Sequence, residues 1–451
     1  MNRTPAMKID ANATIAPTTR RTFCSAAAIC STAVALQLKG ATLRALGLAA
    51  QIPSAPPATS TRPDVAAIDH DRILAAAQRY LNEKPTPLTS LPNPRGLGTP
   101  HDYYSEAEPD PPPEDSSPKP PATPFTAHRD ALFAMGLQVP ALAAAWLLTS
   151  DTKYSEHAAL HLRAWFIDPA TKMNPRLDYG HVPTTLPIPP SAIEKPKPPT
   201  GGAFEGILET LPLVEVVQAV PFLVASGALT GADQAALQTW FAAYLHWLTD
   251  PQESGPRLAA LARDRKDRHG SSWLLQTSAY TLFTTPENGV PKAESKSMDE
   301  LRHRFRTVTL RAQISAEGKF THELGSVTPY RDSLFNLDMI AAICHLLTTR
   351  FESVWEYQLE DGPGMRAAVA FHFPFIANRA RWPYRADNVN FSQLPSRRES
   401  LLLAAHVYQR PEYAALWKTL PPDPASPEVL RTIPIHQPLL WVRQPPRTAS
   451  H

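Results

Sequence analysis

The stretch Ala262-Arg263-Asp264-Arg265-Lys266-Asp267-Arg268-His269-Gly270-Ser271-Ser272-Trp273 sets four cations and a histidine just before a segment of helical character. A helix N-terminus favours anions and lowers the pKa of a histidine placed there, keeping the imidazole neutral and able to accept a proton. His269 is therefore a candidate general base facing an anionic substrate, with Arg268 as a substrate-binding cation and Trp273 beside them. The alternative is a solvated charged loop carrying a structural histidine. A second cluster runs Thr328-Pro329-Tyr330-Arg331-Asp332-Ser333-Leu334. Pro329 breaks the chain, and Asp332 is a plausible N-cap for the next helix, which leaves Tyr330 and Arg331 at its entrance. Both segments sit at loop-to-helix junctions, so His269, Arg268, Tyr330 and Arg331 are expected in one cleft. His181, after Met173-Asn174-Pro175 and Tyr179, would line that cleft or be an ordinary loop histidine. His101, His181, His303 and His322 are scattered without ligand-type spacing, and no CxxC pair occurs, so neither a metal nor another cofactor is expected.

The elements that must hold these residues read as helices. Apolar residues recur at helical spacing over 66–82, 129–148, 155–166, 206–225, 234–248, 271–283, 299–314, 334–348, 365–376 and 400–408. In the fifth, Leu237, Trp240, Phe241, Tyr244, Trp247 and Leu248 share one face. Strand alternation is nearly absent. The stretches 85–124 and 183–199 are dense in proline and read as long loops. Helices joined in pairs by short turns predict an all-α toroid or incomplete α/α barrel, with function carried by the loops of one rim.

The chain has 451 residues, 43% of them hydrophobic, enough for a sizeable core, and its formal charge of +2 gives no electrostatic footprint for nucleic acid. No apolar run in the body reaches the roughly 18 residues of a membrane span, so none is expected in the mature chain. At the N-terminus, Thr19-Arg20-Arg21-Thr22-Phe23 precedes an Ala-rich apolar segment and the small residues Ala49-Ala50. This pattern is that of a twin-arginine export signal. The expected organisation is a signal peptide over 1–50, a Pro-rich linker over 51–64, one helical domain over 65–443 and a tail over 444–451, with a periplasmic or secreted destination. Cys24 and Cys30 fall inside the signal, which leaves Cys344 on an apolar helix face as a small core residue.

Several segments, in order, resemble the alginate lyase domain family. His101-Asp102-Tyr103-Tyr104-Ser105 is similar to the family's HDY-x-S segment, and Leu162-Arg163-Ala164-Trp165-Phe166-Ile167-Asp168-Pro169 with Met173-Asn174-Pro175 to its "WFldP…MNP" segment. Trp240-Phe241-Ala242-Ala243-Tyr244-Leu245-His246-Trp247-Leu248 resembles its "WF-xx-YL-x-WL" helix, and Arg268-His269-Gly270 falls where the family has Asn-Asn-His-Gly. Ser333-Leu334-Phe335-Asn336-Leu337-Asp338 and Trp355-Glu356-Tyr357 with Asp361-Gly362 complete the series.

The resemblance implies an α/α toroid that cleaves acidic polysaccharides by β-elimination. That reaction has three tasks: neutralising a uronate carboxylate, taking the C5 proton and protonating the leaving O4. In the family an Asn–His pair and an Arg–Tyr pair share them. Here His269 is kept, the two preceding asparagines become Asp267 and Arg268, the catalytic tyrosine falls on Asp332 and the arginine on Ser326. Asp267 would repel an anion unless paired with Arg265 or Arg268. Tyr330 and Arg331 lie close enough to take over by a local shift, and Tyr103, Tyr104 and His181 are further expected substrate contacts. Two function classes follow: an exported lyase acting on an acidic uronate-containing glycan, or a non-catalytic relative that binds such a polysaccharide or oligosaccharide or has a structural or accessory role. An inverting glycosidase would need two carboxylates about 6.5–9.5 Å apart, for which Glu317, Glu323 and Asp332 are the candidates.

Overall fold

In a computed structural model of the chain, residues 63–107, 123–184, 201–250, 252, 258–286 and 291–446 are described. Internal contacts divide the chain into Met1–Ala58 and Thr59–His451, and the described residues belong to the second unit. The expected export signal, most of the linker, Cys24 and Cys30 lie outside the described residues.

The domain opens with α1 (Val65–Tyr80), started by the Asp64 carboxylate, which accepts the Ala67 N–H. Helices then follow as hairpins: α2 (Ala127–Thr149) with α3 (Thr152–Leu162), and α4 (Leu213–Ala225) with α5 (Gly231–Thr249). The short α6 (Ala259–Asp264) leads into α7 (Arg268–Thr284), which is buried along most of its length. After α8 (Lys296–Arg304), a π-type turn (Phe305–Thr309) and α9 (Leu310–Gln313) comes α10 (Pro329–Leu347), where nearly every side chain is buried. Finally α11 (Met365–Ala377), α12 (Glu399–Val407) and α13 (Pro411–Thr419) complete the outer layer and the inner one. The inner helices contact one another in chain order, α2 to α4, α4 to α7, α7 to α10 and α10 to α12, while α1, α3, α5, α11 and α13 back them. This is an α/α toroid.

Packing explains the order. Phe241 of α5 meets Tyr280 of α7 at 5.1 Å between ring centroids, and Tyr244 meets Tyr280 at 5.7 Å. Each such ring removed from water contributes about 1.5–3 kcal/mol. The buried Asp338 in the middle of α10 pairs with Arg398 at 3.3 Å and accepts the Ser400 N–H and hydroxyl, which ties α12 to α10. Glu215, in the first turn of α4, accepts the N–H groups of His436 and Gln437 and the indole of Trp441, so the last described segment closes against α4. Cys344 is fully buried in α10.

Three features differ from the sequence reading. α10 begins at Pro329, with Thr328 rather than Asp332 at its N-cap, because proline needs no N–H partner in a first turn. Two short parallel strands, β1 (Tyr104–Glu106) and β2 (Tyr179–Val182), pair with Tyr104 opposite Tyr179. Segments of three or four residues are too short to display alternation. The helices Ala127–Thr149 and Phe204–Ala225 are long and apolar enough by composition to cross a membrane, although 67% of each apolar window is buried within the domain, as in core helices.

Candidate active site

His269 occupies the first turn of α7. Asp267 caps the helix: one carboxylate oxygen accepts the His269 N–H at 3.0 Å and lies 3.0 Å from His269 Nδ1. A carboxylate can only accept, so Nδ1 carries the proton and Nε2 keeps its lone pair. Asp267 pairs with Arg265 through its other oxygen, at 2.5 and 3.0 Å. Burial would raise the Asp267 carboxyl, but the bonds from His269 and Arg265 outweigh it and hold the group well below the ordinary range. Burial, with Arg268 alongside, keeps the His269 pKa below its usual value, against the pull of Asp267. The ring is packed edge-on by Phe204 at 5.1 Å. Gly270 is required here, since a Cβ would stand 2.2 Å from the Arg265 carbonyl oxygen.

A second histidine, in β2, is linked to the first through residues 203–205. His181 has φ +57°, a left-handed conformation that strains a non-glycine residue, and such strain concentrates at functional sites. Its N–H donates to Ser105 Oγ at 2.7 Å, and its Nδ1 is 3.1 Å from Glu209 Oε1. Glu209 also accepts the Ser105 hydroxyl at 2.5 Å and the Tyr103 hydroxyl at 2.9 Å. Burial lowers the His181 pKa, but the Glu209 bond and charge, helped by Glu205, outweigh it and leave the group raised. The segment 203–205 links the two histidines: Ala203 N–H donates to the Gly180 carbonyl at 2.9 Å, Phe204 touches His269, and the Glu205 charge favours the protonated form of both. Arg129 adds a positive charge that acts on His181 and Tyr103. Its Nε is buried with no hydrogen-bond partner among the described residues, and its carboxylate neighbour Asp130 is 3.9 Å away.

The structure brings His269, Arg268 and Arg331 together and separates Tyr330 from them. Arg268 does not face open space: its Nη1 is 2.9 Å from Glu323 and 3.4 Å from Asp332, and its N–H donates to Glu323 at 2.5 Å. Burial and the neighbouring Asp332, partly offset by Arg268, raise Glu323 to about 7. Arg331 reaches Thr328 Oγ1 at 2.8 Å and Asp332 at 3.3 Å, and its N–H donates to Asp387. Glu323 and Asp332 thus hold one guanidinium between them, which brings these oxygens closer together than an inverting glycosidase pair. Glu317 is elsewhere, accepting the Ser315 hydroxyl on an exposed turn.

Four aromatic residues expected at the site are buried. Tyr330 is fully buried, its hydroxyl donates to the Phe375 carbonyl at 2.9 Å, and its ring packs on Trp382 and Phe391. Burial pushes its pKa up, opposite to what a base requires. Tyr103 is 1% exposed and serves Glu209, and Tyr104 is buried with its hydroxyl on Glu106 at 2.5 Å. Trp273 is 5% exposed, donates to the Leu248 carbonyl and carries Arg304 over its ring. All four satisfy their polar atoms within the protein. Glu209, Glu205, Phe204 and Arg129 are additions; Glu209 meets Ser105 across 104 residues of sequence, a pairing no local motif announces.

The family model for alginate lyase matches residues 89–382. Among solved structures, the chain is similar to an alginate lyase from Bacteroides ovatus, with a TM-score of 0.65 and 24% identity over 86% of this chain and 99% of that one. It also matches alginate lyase A1-III from Sphingomonas species A1 at a TM-score of 0.41 and 12% identity, covering 75% and 86% of the two chains. A single-site variant of that enzyme in complex with a tetrasaccharide matches at 0.44 and 11%, covering 77% and 89%. A comparison with curated proteins finds no match. The family model spans well over half of the chain, including both histidines and the network around Arg268; the protein belongs to the alginate lyase family.

Proposed function

We propose that this protein is a polysaccharide lyase that cleaves an acidic, uronate-containing glycan by β-elimination, with a two-histidine acid–base pair. The observation that carries this reading is the pair itself. Each histidine has Nδ1 on a carboxylate, and their environments push their pKa values in opposite directions, His269 down and His181 up. Opposed shifts of neighbouring groups assign the roles of base and acid. Neutral His269 takes the C5 proton through Nε2. The electron pair of the C5–H bond forms the C4–C5 double bond, the C4–O4 bond breaks, and protonated His181 delivers a proton to O4. Arg129, whose charge acts on His181 and whose side chain is 20% exposed, is the cation suited to the uronate carboxylate. Asp267 and Glu209 are positioning residues. The Arg20-Arg21 segment supports export, to the periplasm or beyond.

The test is ultraviolet absorbance of an unsaturated uronate product when purified protein meets mannuronate, guluronate and glucuronate polymers. Turnover that falls about 10²-fold or more in His269→Ala, with the fold intact, supports the reading. One observation favours the second reading, a non-catalytic glycan-binding relative. Arg268 and Asp332, which stand where the family has asparagine and tyrosine, are paired with each other and so are closed to a substrate. Binding of an acidic glycan with no product from any polymer would select it.

A further inference from the structure

One residue beyond His269, Gly270 borders a pocket of about 330 Å³, within the ~300–1,000 Å³ range of ligand sites. Gly270 and Gln313 contribute to its lining, and so do Arg263, Arg265, Lys266 and Arg304, with Asp264 as the anion among them. The cations are arranged rather than scattered. Arg263 is fixed on Asp264 by two bonds of 2.8 Å, and Arg304 reaches the Arg263 carbonyl at 2.8 Å while lying over the Trp273 ring. Arg265 lies over Phe204, 5.0 Å from its centroid, and Phe204 is the ring that packs His269. Lys266 is exposed and has no ionic or hydrogen-bond partner among the described residues. Asp264 and Asp267 offset part of this charge, and the remainder is positive. The pocket therefore presents a net positive field, held on aromatic faces, that is physically continuous with His269 through Arg265 and Phe204.

We propose that this pocket is an anionic subsite that binds carboxylates of the same glycan chain, outside the sugar unit undergoing elimination. The proposal rests on the lyase or glycan-binding reading above and names the chemistry of the extended ligand: a polyanion whose carboxylates recur along the chain. Guanidinium groups with free donors take carboxylates by charge-assisted bonds. A neutral glycan would leave the net positive charge uncompensated and gain little.

The experiment titrates full-length His269→Gln protein, by calorimetry, with decamers of mannuronate, guluronate and glucuronate and with a neutral cello-oligosaccharide. At least one oligouronate binds, and the neutral one does not. Lys266→Glu weakens that binding about tenfold, and Arg263→Gln weakens it in the same direction, both effects shrinking as salt rises. The fold is not at risk at Lys266, whose side chain makes no bond among the described residues. The same shift is read as KM in the active protein. Oligouronate binding that is identical in parent, Lys266→Glu and Arg263→Gln at low salt overturns the subsite while leaving the function reading standing. Failure of the parent to bind any oligouronate overturns both.

Discussion

Replacing Asp267 by asparagine (Asp267→Asn) isolates what the carboxylate does for His269. In the wild type one oxygen accepts two bonds from His269, both at 3.0 Å, and the other receives Arg265. Asparagine still caps a helix, so the backbone bond survives at a cost of a few tenths of a kcal/mol. The charged component does not survive: a hydrogen bond to an ionised group is worth about 1.5–3 kcal/mol, and the half-exposed Arg265 pair about 1 kcal/mol at most after screening. A loss of about 2 kcal/mol in unfolding free energy at pH 7 is expected from urea denaturation. The Asp267 pKa is depressed in the folded protein, so this stabilisation is present above the ordinary aspartate value near 3.9 and is lost as pH falls toward the folded value. The gap between wild type and variant therefore closes below about pH 4. The catalytic consequence is larger. An asparagine amide can donate to Nδ1 and move the ring proton to Nε2, which removes the base. Initial rates of unsaturated product should fall about 10²- to 10⁴-fold. A variant that loses the stability but keeps the rate would refute the argument and make His269 a structural residue.

Tyr330→Phe should cost about 1–3 kcal/mol, because the Phe375 carbonyl loses its donor, while turnover is retained; a folded variant without turnover would return Tyr330 to the reaction. The pH–rate profile should fall on the acid side below the ordinary histidine value near 6.5, where His269 protonates, and on the alkaline side above it, where His181 deprotonates. His181→Gln should remove the alkaline limb, and an unchanged limb would exclude His181 as the acid. Asp338→Ala should lose about 3–5 kcal/mol, since Arg398 is left as a buried unpaired charge; chemical denaturation within 1 kcal/mol of wild type would count against the buried pair. Changing Arg20 and Arg21 to lysine should leave unprocessed precursor in the cytoplasm, and normal recovery outside it would sink the twin-arginine assignment.

Periodicity made most of the helices legible, because a toroid buries one stripe of each and the stripe is written at i, i+3, i+4 and i+7. The same rule, carried one turn further, accounts for the burial of Tyr330. Tyr330, Leu334, Leu337 and Ala341 lie on one face of α10. Starting the helix at Asp332 placed Tyr330 outside that face, and starting it at Pro329 places it in the core. Trp273 follows suit, sharing a buried face with Thr277 and Tyr280. His269 was readable because its chemistry is local: a histidine at a helix start with its own cap two residues before it. Glu209 was not, since its partners Tyr103, Ser105 and His181 come together only through a two-stranded pairing of segments far apart in sequence. Read separately in the sequence, Arg268 is a substrate-binding cation and Asp332 the loss of a tyrosine. In three dimensions they are one exchange, a cation and an anion 3.4 Å apart.

The closure at Glu215 sets the order in which the molecule can be made. Its carboxylate sits in the first turn of α4, yet its donors arrive with residues 436–441, 221 or more positions later. In the closed domain burial raises the group to about 7 even though these donors pull it down, so a chain that lacks them favours the protonated form more strongly wherever the site is buried. A ribosome must release nearly the whole domain before the ring can shut, which makes the final step a long-range one and slow by the measure of contact order. Chains ending before His436 should therefore collapse with their inner helices formed and their seam open, soluble enough to expose an apolar edge and vulnerable to protease at that edge.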